Sequence, residues 1–394
     1  MTRILWFHPR PWGPPRGGGD LRTRGLVACA LTSGHTVGLV VPAGSGPQVL
    51  PEGLSLLELT LRGGWSMHLH KLASRHPLRS PRISGDARRA ARRAIEGFAP
   101  EIAVVSEVMS WSVARGLAPP GIPLVYDAAN VESALFRGLA ADASGTLERL
   151  TFGVDARRVA ADEAELLASS QAVMAVSDEE KEIFAGLGGL GRIEVVPSSV
   201  EDPGAVWLPG PQQDEVLFVG TLDYPPNVQA VVELVEKVLP AVRRIRPARL
   251  VVVGRRPTPA LRDLAAAHSW IDLHEDVPDL TPFYLRARCA VLPIRSGGGT
   301  KLKVYEALAY GIPLVCTPEA AAGVPVTAAE EVAVASATAE LVQHTVTLLE
   351  DDVEAQRLGS RGRTAFVERL SWERAARRAL QGLLRSSMLS LIHI

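Results

Sequence analysis

Residues Arg295–Gly311 read RSGGGTKLKVYEALAYG, and the rest of the chain can be ordered outward from them. A short apolar run, Ala290–Ile294 (AVLPI), leads into consecutive glycines Gly297, Gly298 and Gly299, and a strong helix-forming segment begins at Thr300. Strand, glycine turn and helix together place bare backbone N–H groups at a helix N-terminus. With the positive end of the helix dipole, such groups form an anion site. Lys301 and Lys303 add full charges beside it, and Arg295 stands at its entrance. Glu306 lies nearly two turns into the helix, a depth suited to a carboxylate that accepts hydroxyl hydrogen bonds from a sugar next to a phosphate. This pattern predicts a site for the diphosphate and ribose of a nucleotide. It also fits a tight strand-to-helix turn with a solvated basic face.

The chain has 394 residues, room for two domains of ordinary size. It is 47% hydrophobic and 22% charged with a formal net charge of -1, a globular composition that gives no sign of nucleic-acid binding. Cys29, Cys289 and Cys316 are far apart in apolar surroundings, which predicts buried, reduced thiols and a cytoplasmic setting. The opening MTRILWFHPRPWGPP, broken by Pro9 and Pro11, lacks a signal-peptide core. No apolar run is long enough to predict a membrane span. No His, Asp or Cys spacing suggests a metal site, so no metal and no cofactor are expected.

Upstream, Ile4–Phe7 predicts a first strand, and a breaker-rich turn ends in Gly17-Gly18-Gly19. A helix over about 20–33 ends at Gly34, and a strand follows over Thr36–Val41, giving a βαβ unit with a glycine-rich crossover. The spacing is not the dinucleotide pattern. Gly18 and Gly19 are read as letting backbone approach a ligand, with a flexible turn as the alternative. Between Lys71 and Arg93 eight residues are basic and only Asp86 is acidic. A solvated helix face explains such a run, as does contact with anionic lipid headgroups or a phosphate-bearing acceptor.

Glu101–Ser106 and Pro123–Asp127 predict further buried strands. Polar residues just past strand carboxyl ends face the ligand crevice of an open α/β sheet. Asp127, Asn130 and Glu132 are therefore acceptor-side candidates, joined by Glu107 after the preceding strand. Asn130 fits equally as a helix cap. Ala172–Ser177 and Ile193–Val196 close this half. Pro197–Gln213 holds four prolines and two glycines and predicts the domain boundary. The α/β alternation then restarts with a strand at Glu215–Val219, the turn GTLDYPPN opening at Gly220, a helix at Val228–Ile245 and a strand at Leu250–Val253. A helix from Ser371 to about Leu384 is predicted near the end, before an apolar tail.

The run GGGTKLKVYEALAYGIPLV resembles the nucleotide-sugar signature of glycosyltransferase family 4. The segments PRPWGPPRGGGDLRTRGL, SGHTV, VYDAANVES and GTLDYPPNVQAV extend the resemblance over about residues 3 to 386. It implies an α/β, GT-B fold: two facing Rossmann-like domains with parallel sheets and a deep cleft, and a retaining transfer from a nucleoside-diphosphate sugar. The implied layout is an acceptor domain at 1–198, a linker at 199–213, a donor domain at 214–368, and a helix at 369–386 that crosses back, with 387–394 as a tail. The acceptor class is a glycan, a glycolipid or a small molecule. By the resemblance Glu306 takes the ribose. Backbone N–H groups of Gly298 to Thr300 hold the diphosphate, helped by Gly18 and Gly19, with Gly220 and Gly297 completing the set. Glu306, Lys301 and Asp127 are expected to carry catalysis, with Lys301, Lys303, Arg295 or Arg255 supplying charge.

The chain departs from the pattern at three places. Gly298 stands where many relatives have a sugar-reading glutamate. GTLDYPPN lacks the Arg and Lys that many carry there, and Ala129 replaces a frequent histidine. The resemblance therefore names no sugar.

Overall fold

A computed structural model describes residues 1–15, 17–46, 49–62, 82–142, 145–189, 191–210, 214–296, 302–375 and 377. The chain divides into two compact units: Met1–Ser198 with the segment from Ala375 onward, and Ser199–Arg374.

The first unit is built on a parallel sheet of seven strands. They are β1 Arg3–Phe7, β2 Thr36–Pro42, β3 Leu54–Leu59, β4 Ile102–Ser106, β5 Leu124–Asp127, β6 Ala172–Ala175 and β7 Arg192–Val195. Their order across the sheet is β3-β2-β1-β4-β5-β6-β7. Strands β1, β4, β5 and β6 are buried almost throughout, which is why they read as continuous apolar runs rather than alternating ones. Helix α1, Gly18–Thr32, follows β1; Gly34 takes φ +83° just past its end, as the expected stop requires. Helices α2 (Gly85–Phe98), α3 (Trp111–Leu117), α4 (Glu132–Asp142), α5 (Thr146–Ser169) and α6 (Asp178–Gly186) complete the unit. Ser84 and Ser177 cap α2 and α6 by accepting from Ala87 N and Glu180 N.

Strand β3 has no counterpart among the sequence expectations. It lies at the sheet edge and pairs with β2 alone, so only Leu54 and Leu59 are fully buried.

The second unit carries a parallel sheet of six strands. They are β8 Glu215–Thr221, β9 Arg249–Arg255, β10 Ile271–Glu275, β11 Cys289–Leu292, β12 Leu314–Cys316 and β13 Ala333–Val334. Their order is β10-β9-β8-β11-β12-β13. The helix expected at 228–245 begins earlier. Helix α7 spans Pro225–Glu233 because proline is tolerated in a first helical turn, where its missing N–H has no partner to lose. A π-turn at Leu234–Val238 then leads into α8, Leu239–Arg243. Pro240 cannot donate to the preceding turn, and the wider turn absorbs its ring. Helices α9 (Pro259–Ala266), α10 (Thr281–Arg286), α11 (Leu302–Tyr310), α12 (Pro318–Ala321), α13 (Thr338–Glu350) and α14 (Asp352–Ala365) follow.

Strand order reverses beside β1 and β4 in one sheet and beside β8 and β11 in the other. Ligands of open α/β sheets bind past the carboxyl ends of strands at such reversals. All three cysteines are buried thiols, as expected. Most of the helix expected from Ser371 and the whole tail 387–394 lie outside the described residues. So do Gly297, Gly298, Gly299, Thr300, Lys301 and the basic positions Lys71 to Arg79. Among the described residues no helix is long and apolar enough to cross a membrane.

Candidate functional site

In the second unit, the reversal between β8 and β11 is flanked by α7, α10 and α11. Glu306 projects from α11, partly buried, and accepts a hydrogen bond from the Tyr284 hydroxyl at 3.1 Å. Burial pushes its carboxyl above the ordinary range, against the Tyr284 hydrogen bond and the charge of Lys303. Tyr284 stacks on Tyr310 with ring centroids 4.4 Å apart, and the Tyr310 hydroxyl meets Thr281 Oγ1 at 2.9 Å. These contacts fix the Glu306 side chain against an aromatic wall.

Lys303 precedes Glu306 by three residues, so both lie on one helix face. Its ammonium donates to Asn227 Oδ1 and sits 5.6 Å from the centre of the Phe218 ring. Asn227 is buried in the first turn of α7, and its Nδ2 donates to Thr221 O at 2.9 Å. Gly220 is required here, because a Cβ at that position would lie 2.9 Å from Asn227 Nδ2. Gly220, Asn227, Lys303 and Glu306 are thus brought together through one chain of contacts.

Arg295 occupies a different place from the one expected. Its Nη2 pairs with Glu233 at 2.9 Å and its Nη1 donates to Ser336 O at 2.6 Å. Glu233 also accepts from Thr338 Oγ1 at 2.9 Å. The guanidinium therefore ties α7 to the start of α13 rather than presenting a loose cation. Arg255 ends β9 exposed, and its neighbour Arg256 pairs with Asp223 at 2.7 Å within the GTLDYPPN turn.

In the first unit, Asp127 ends β5 as expected, yet its carboxylate is enclosed. Arg22 Nε donates to Oδ1 at 2.7 Å and Ser106 Oγ to Oδ2 at 2.7 Å. Both members of the Arg22–Asp127 pair are 1% exposed. Arg22 Nη1 also donates to Val196 O at 2.7 Å, and Trp6 Nε1 donates to Ser106 Oγ at 2.8 Å. The expected catalytic, acceptor-facing role for Asp127 is corrected accordingly: α1 lays an arginine over the strand end, and the carboxylate becomes a lock joining β1, β4 and β5.

Glu107 lies past β4 with φ +59°, and both of its carboxylate oxygens accept from Arg10, one at 3.0 Å. Arg10 also pairs with Asp20. Burial opposes the Arg10 charge, but Glu107 and Asp20 hold its guanidinium above the ordinary value. Gly19 lies directly beneath, since a Cβ there would strike the Glu107 carboxylate and come within 2.7 Å of Arg10. Gly18 is the first residue of α1. Gly19 therefore lets a side-chain ion pair approach the start of that helix.

Glu132 is buried, and its carboxyl is pushed up to about 7 by burial and by the charge of Glu107. Asn130 Nδ2 donates to it at 3.4 Å. The cap of α4 is Glu163 of α5, which accepts from Glu132 N at 2.9 Å and Ser133 N at 3.2 Å. Asn130, weighed as that cap, is thus not the residue that satisfies these two N–H groups. Glu163 is itself raised by burial. Trp111 Nε1 and Ser133 Oγ are buried with no hydrogen-bond partner.

The sequence reading missed Arg10, Asp20, Asn227 and Tyr284. Arg10 and Asp20 flank the glycine run and Asn227 closes DYPPN, so each adjoined a motif already in view. Tyr284 belongs to α10, a helix that carries no motif of its own. Among the described residues no group of three His, Cys, Asp or Glu side chains is placed to hold a metal ion.

Residues 213–351 match the family described as Glycosyl transferases group 1, and residues 17–198 match the Glycosyl transferase 4-like domain. A sucrose-phosphate synthase from Thermosynechococcus elongatus superposes with a TM-score of 0.75 at 14% identity, over 99% of this chain and 100% of its own. WaaG, a glycosyltransferase involved in lipopolysaccharide biosynthesis, gives 0.66 at 16% identity, over 96% and 98%. The Anabaena protein Alr3699/HepE, in complex with UDP-glucose, gives 0.67 at 13% identity, over 98% and 100%. No curated protein sequence matches the chain. With both units accounted for by matched family descriptions, the chain belongs to the group 1 glycosyltransferases, and its two parallel-sheet, Rossmann-like domains are those of the GT-B fold.

Proposed function

We propose that this glycosyltransferase moves a sugar from a nucleoside-diphosphate sugar to an acceptor hydroxyl with retention of anomeric configuration. The observation that carries this reading is the Glu306 site, where a carboxylate fixed by Tyr284 stands one helical turn from the ammonium of Lys303. Glu306 would accept from the donor ribose. The adjoining stretch Gly297–Lys301 is assigned the diphosphate on its sequence, and Lys303 adds positive charge beside it. Solved structures of similar fold hold UDP-glucose, UDP and ADP, which supports a nucleotide-sugar donor.

The demanding step is departure of the nucleoside diphosphate. Negative charge grows on its oxygens, so fixed donors and cations there stabilise the transition state more than the ground state. Each well-placed donor contributes about 3 kcal/mol by comparison with other anion holes. In a same-face retaining transfer the departing phosphate can take the acceptor proton, so no strong protein base is needed. The reading has no metal in this step; full activity in EDTA is the expected result.

The acceptor is assigned to the first unit, with Glu107, Asn130 and Glu132 past its strand ends. A glycan, a glycolipid or a small molecule are the acceptor classes, and glycan, glycolipid or natural-product biosynthesis the setting. Arg88, Arg89, Arg92 and Arg93 are exposed on α2, a face suited to peripheral contact with an anionic membrane from the cytoplasm. Binding to vesicles with and without anionic lipid tests that contact.

The function is tested by incubating the protein with UDP-, GDP-, ADP- and TDP-sugars and an acceptor panel, with NMR assignment of the product anomer. A glycoside whose anomeric configuration matches the donor supports the reading. Nucleotide release without glycoside formation indicates a hydrolase, and binding without turnover indicates a nucleotide-sugar-binding protein.

A further inference from the structure

The turn GTLDYPPN, which runs from the end of β8 into α7, carries no lysine or arginine of its own. A cation reaches it from another element. Lys303, in the first turn of α11, donates to Asn227 Oδ1 at the far end of GTLDYPPN. Asn227 Nδ2 in turn donates at 2.9 Å to the carbonyl of Thr221, the last residue of β8. The ammonium also sits 5.6 Å from the centre of the Phe218 ring of β8. It therefore stands at the carboxyl end of β8, beside the strand-order reversal where ligands of open α/β sheets bind.

An amide suits this link. The Thr221 carbonyl can only accept and an ammonium can only donate, so the group between them donates at one end and accepts at the other. A carboxylate cannot donate, and a lysine or arginine cannot accept. Asn227 is 4% exposed, and a Cβ on Gly220 would lie 2.9 Å from its Nδ2 and 3.1 Å from its Cγ. Two partners and close packing thus set the amide's orientation. The neutrality of the anchor also matters. Arg256 faces the carboxylate of Asp223 in the same turn, and Arg295 faces that of Glu233 on α7. An amide oxygen, by contrast, orients the Lys303 ammonium without neutralising it. The Glu306 carboxyl, one turn along α11, feels that charge.

Given a nucleoside-diphosphate sugar as donor, the reading on which this inference rests, we propose that Asn227 is a positioning residue. It acts through Lys303, aiming the ammonium at the diphosphate while leaving its charge in place. The test uses the full chain with UDP, GDP, ADP and TDP and with the corresponding nucleosides. Diphosphates are titrated by calorimetry and nucleosides by displacement of the bound diphosphate, which separates the phosphate contact from the rest of the ligand.

Asn227→Ala should weaken the diphosphate that binds the parent by roughly tenfold and leave its nucleoside within about twofold. Lys303→Met should do the same. Adding Asn227→Ala to Lys303→Met should cost nothing more, because the amide acts through the lysine. Asn227→Asp keeps a contact with Lys303 but neutralises the ammonium, so it should bind the diphosphate no better than Asn227→Ala does. If Asn227→Ala fails to fold by circular dichroism, the same selective loss in Asn227→Asp decides. Parent-like diphosphate affinity in Asn227→Ala or Asn227→Asp overturns the proposal. So does an equal loss of nucleoside affinity, which marks an amide that only braces α7 against α11. If none of the four diphosphates binds the parent, the donor reading itself falls and the role of Asn227 with it.

Discussion

The Tyr284 hydroxyl donates to Glu306 Oε2 at 3.1 Å, and this bond opposes the effect of burial on the carboxylate. Its removal in Tyr284→Phe should raise the Glu306 pKa further. Donor affinity, plotted against pH, should keep its shape with the acid limb displaced to higher pH. Glu306→Gln should abolish that limb and weaken binding at every pH. A Tyr284→Phe profile that overlays the parent would show that the hydrogen bond does not govern the ionisation of Glu306.

Arg22 and Asp127 form a buried pair, and removing one partner leaves the other charge uncompensated. Asp127→Asn should cost roughly 3 kcal/mol of stability, read by urea denaturation. Because the pair is enclosed by α1, turnover per folded molecule should change by less than about threefold, far short of the 10²-fold typical for loss of a general acid or base. A large loss of kcat with unchanged stability would return Asp127 to the reacting centre.

The fold was legible where burial on both faces makes a strand a plain apolar run, as in Ile102–Ser106 and Ala172–Ala175. It was not legible at Leu54–Leu59, an edge strand whose exposure follows from having one neighbour. Pro225 and Pro226 read as a turn, yet they open a helix, since either conformation suits a proline with no donor to satisfy. Glu306 and Lys303 could be picked out because a helix puts residues three apart on one face. The Arg22–Asp127 lock joins residues 105 positions apart, and Arg10–Glu107 joins residues 97 apart. Local pattern carries no trace of either pairing, which is why Asp127 looked available to a ligand.

Glu132 and Glu180 are both pushed up to about 7, each first by burial. An unfolded glutamate titrates near 4.5, so the folded chain binds these protons more tightly than the unfolded chain does. Their contribution is fully present below about pH 4.5 and is lost as pH rises through about 7. The double variant Glu132→Gln, Glu180→Gln should flatten the fall in stability over that window by several kcal/mol, on the order of 3 kcal/mol per carboxyl. An unchanged slope would mean that neither carboxyl is raised.

Gly19 leaves room for the Glu107 carboxylate and Arg10. Gly19→Ala should displace that pair and lower acceptor-dependent kcat/KM by about tenfold, on the order expected when a positioned group shifts by an ångström or so. Affinity for nucleotide should stay as it was, because that site is assigned to the second unit. Equal acceptor kinetics in the two proteins would show that the pair does not serve the acceptor.

The nucleotide site is the centre of the account, and binding of a nucleoside diphosphate to the parent chain and to Glu306→Ala tests it most directly. At a ligand concentration of 100-fold its Kd, the matching diphosphate among UDP, GDP, ADP and TDP should stabilise the parent by about 2.7 kcal/mol. For a unit of this size that is a rise of roughly 5–10 °C in Tm. Glu306→Ala should melt like the parent without ligand and bind at least tenfold more weakly. Failure of all four diphosphates to stabilise the parent, or equal affinity in Glu306→Ala, would contradict the assignment.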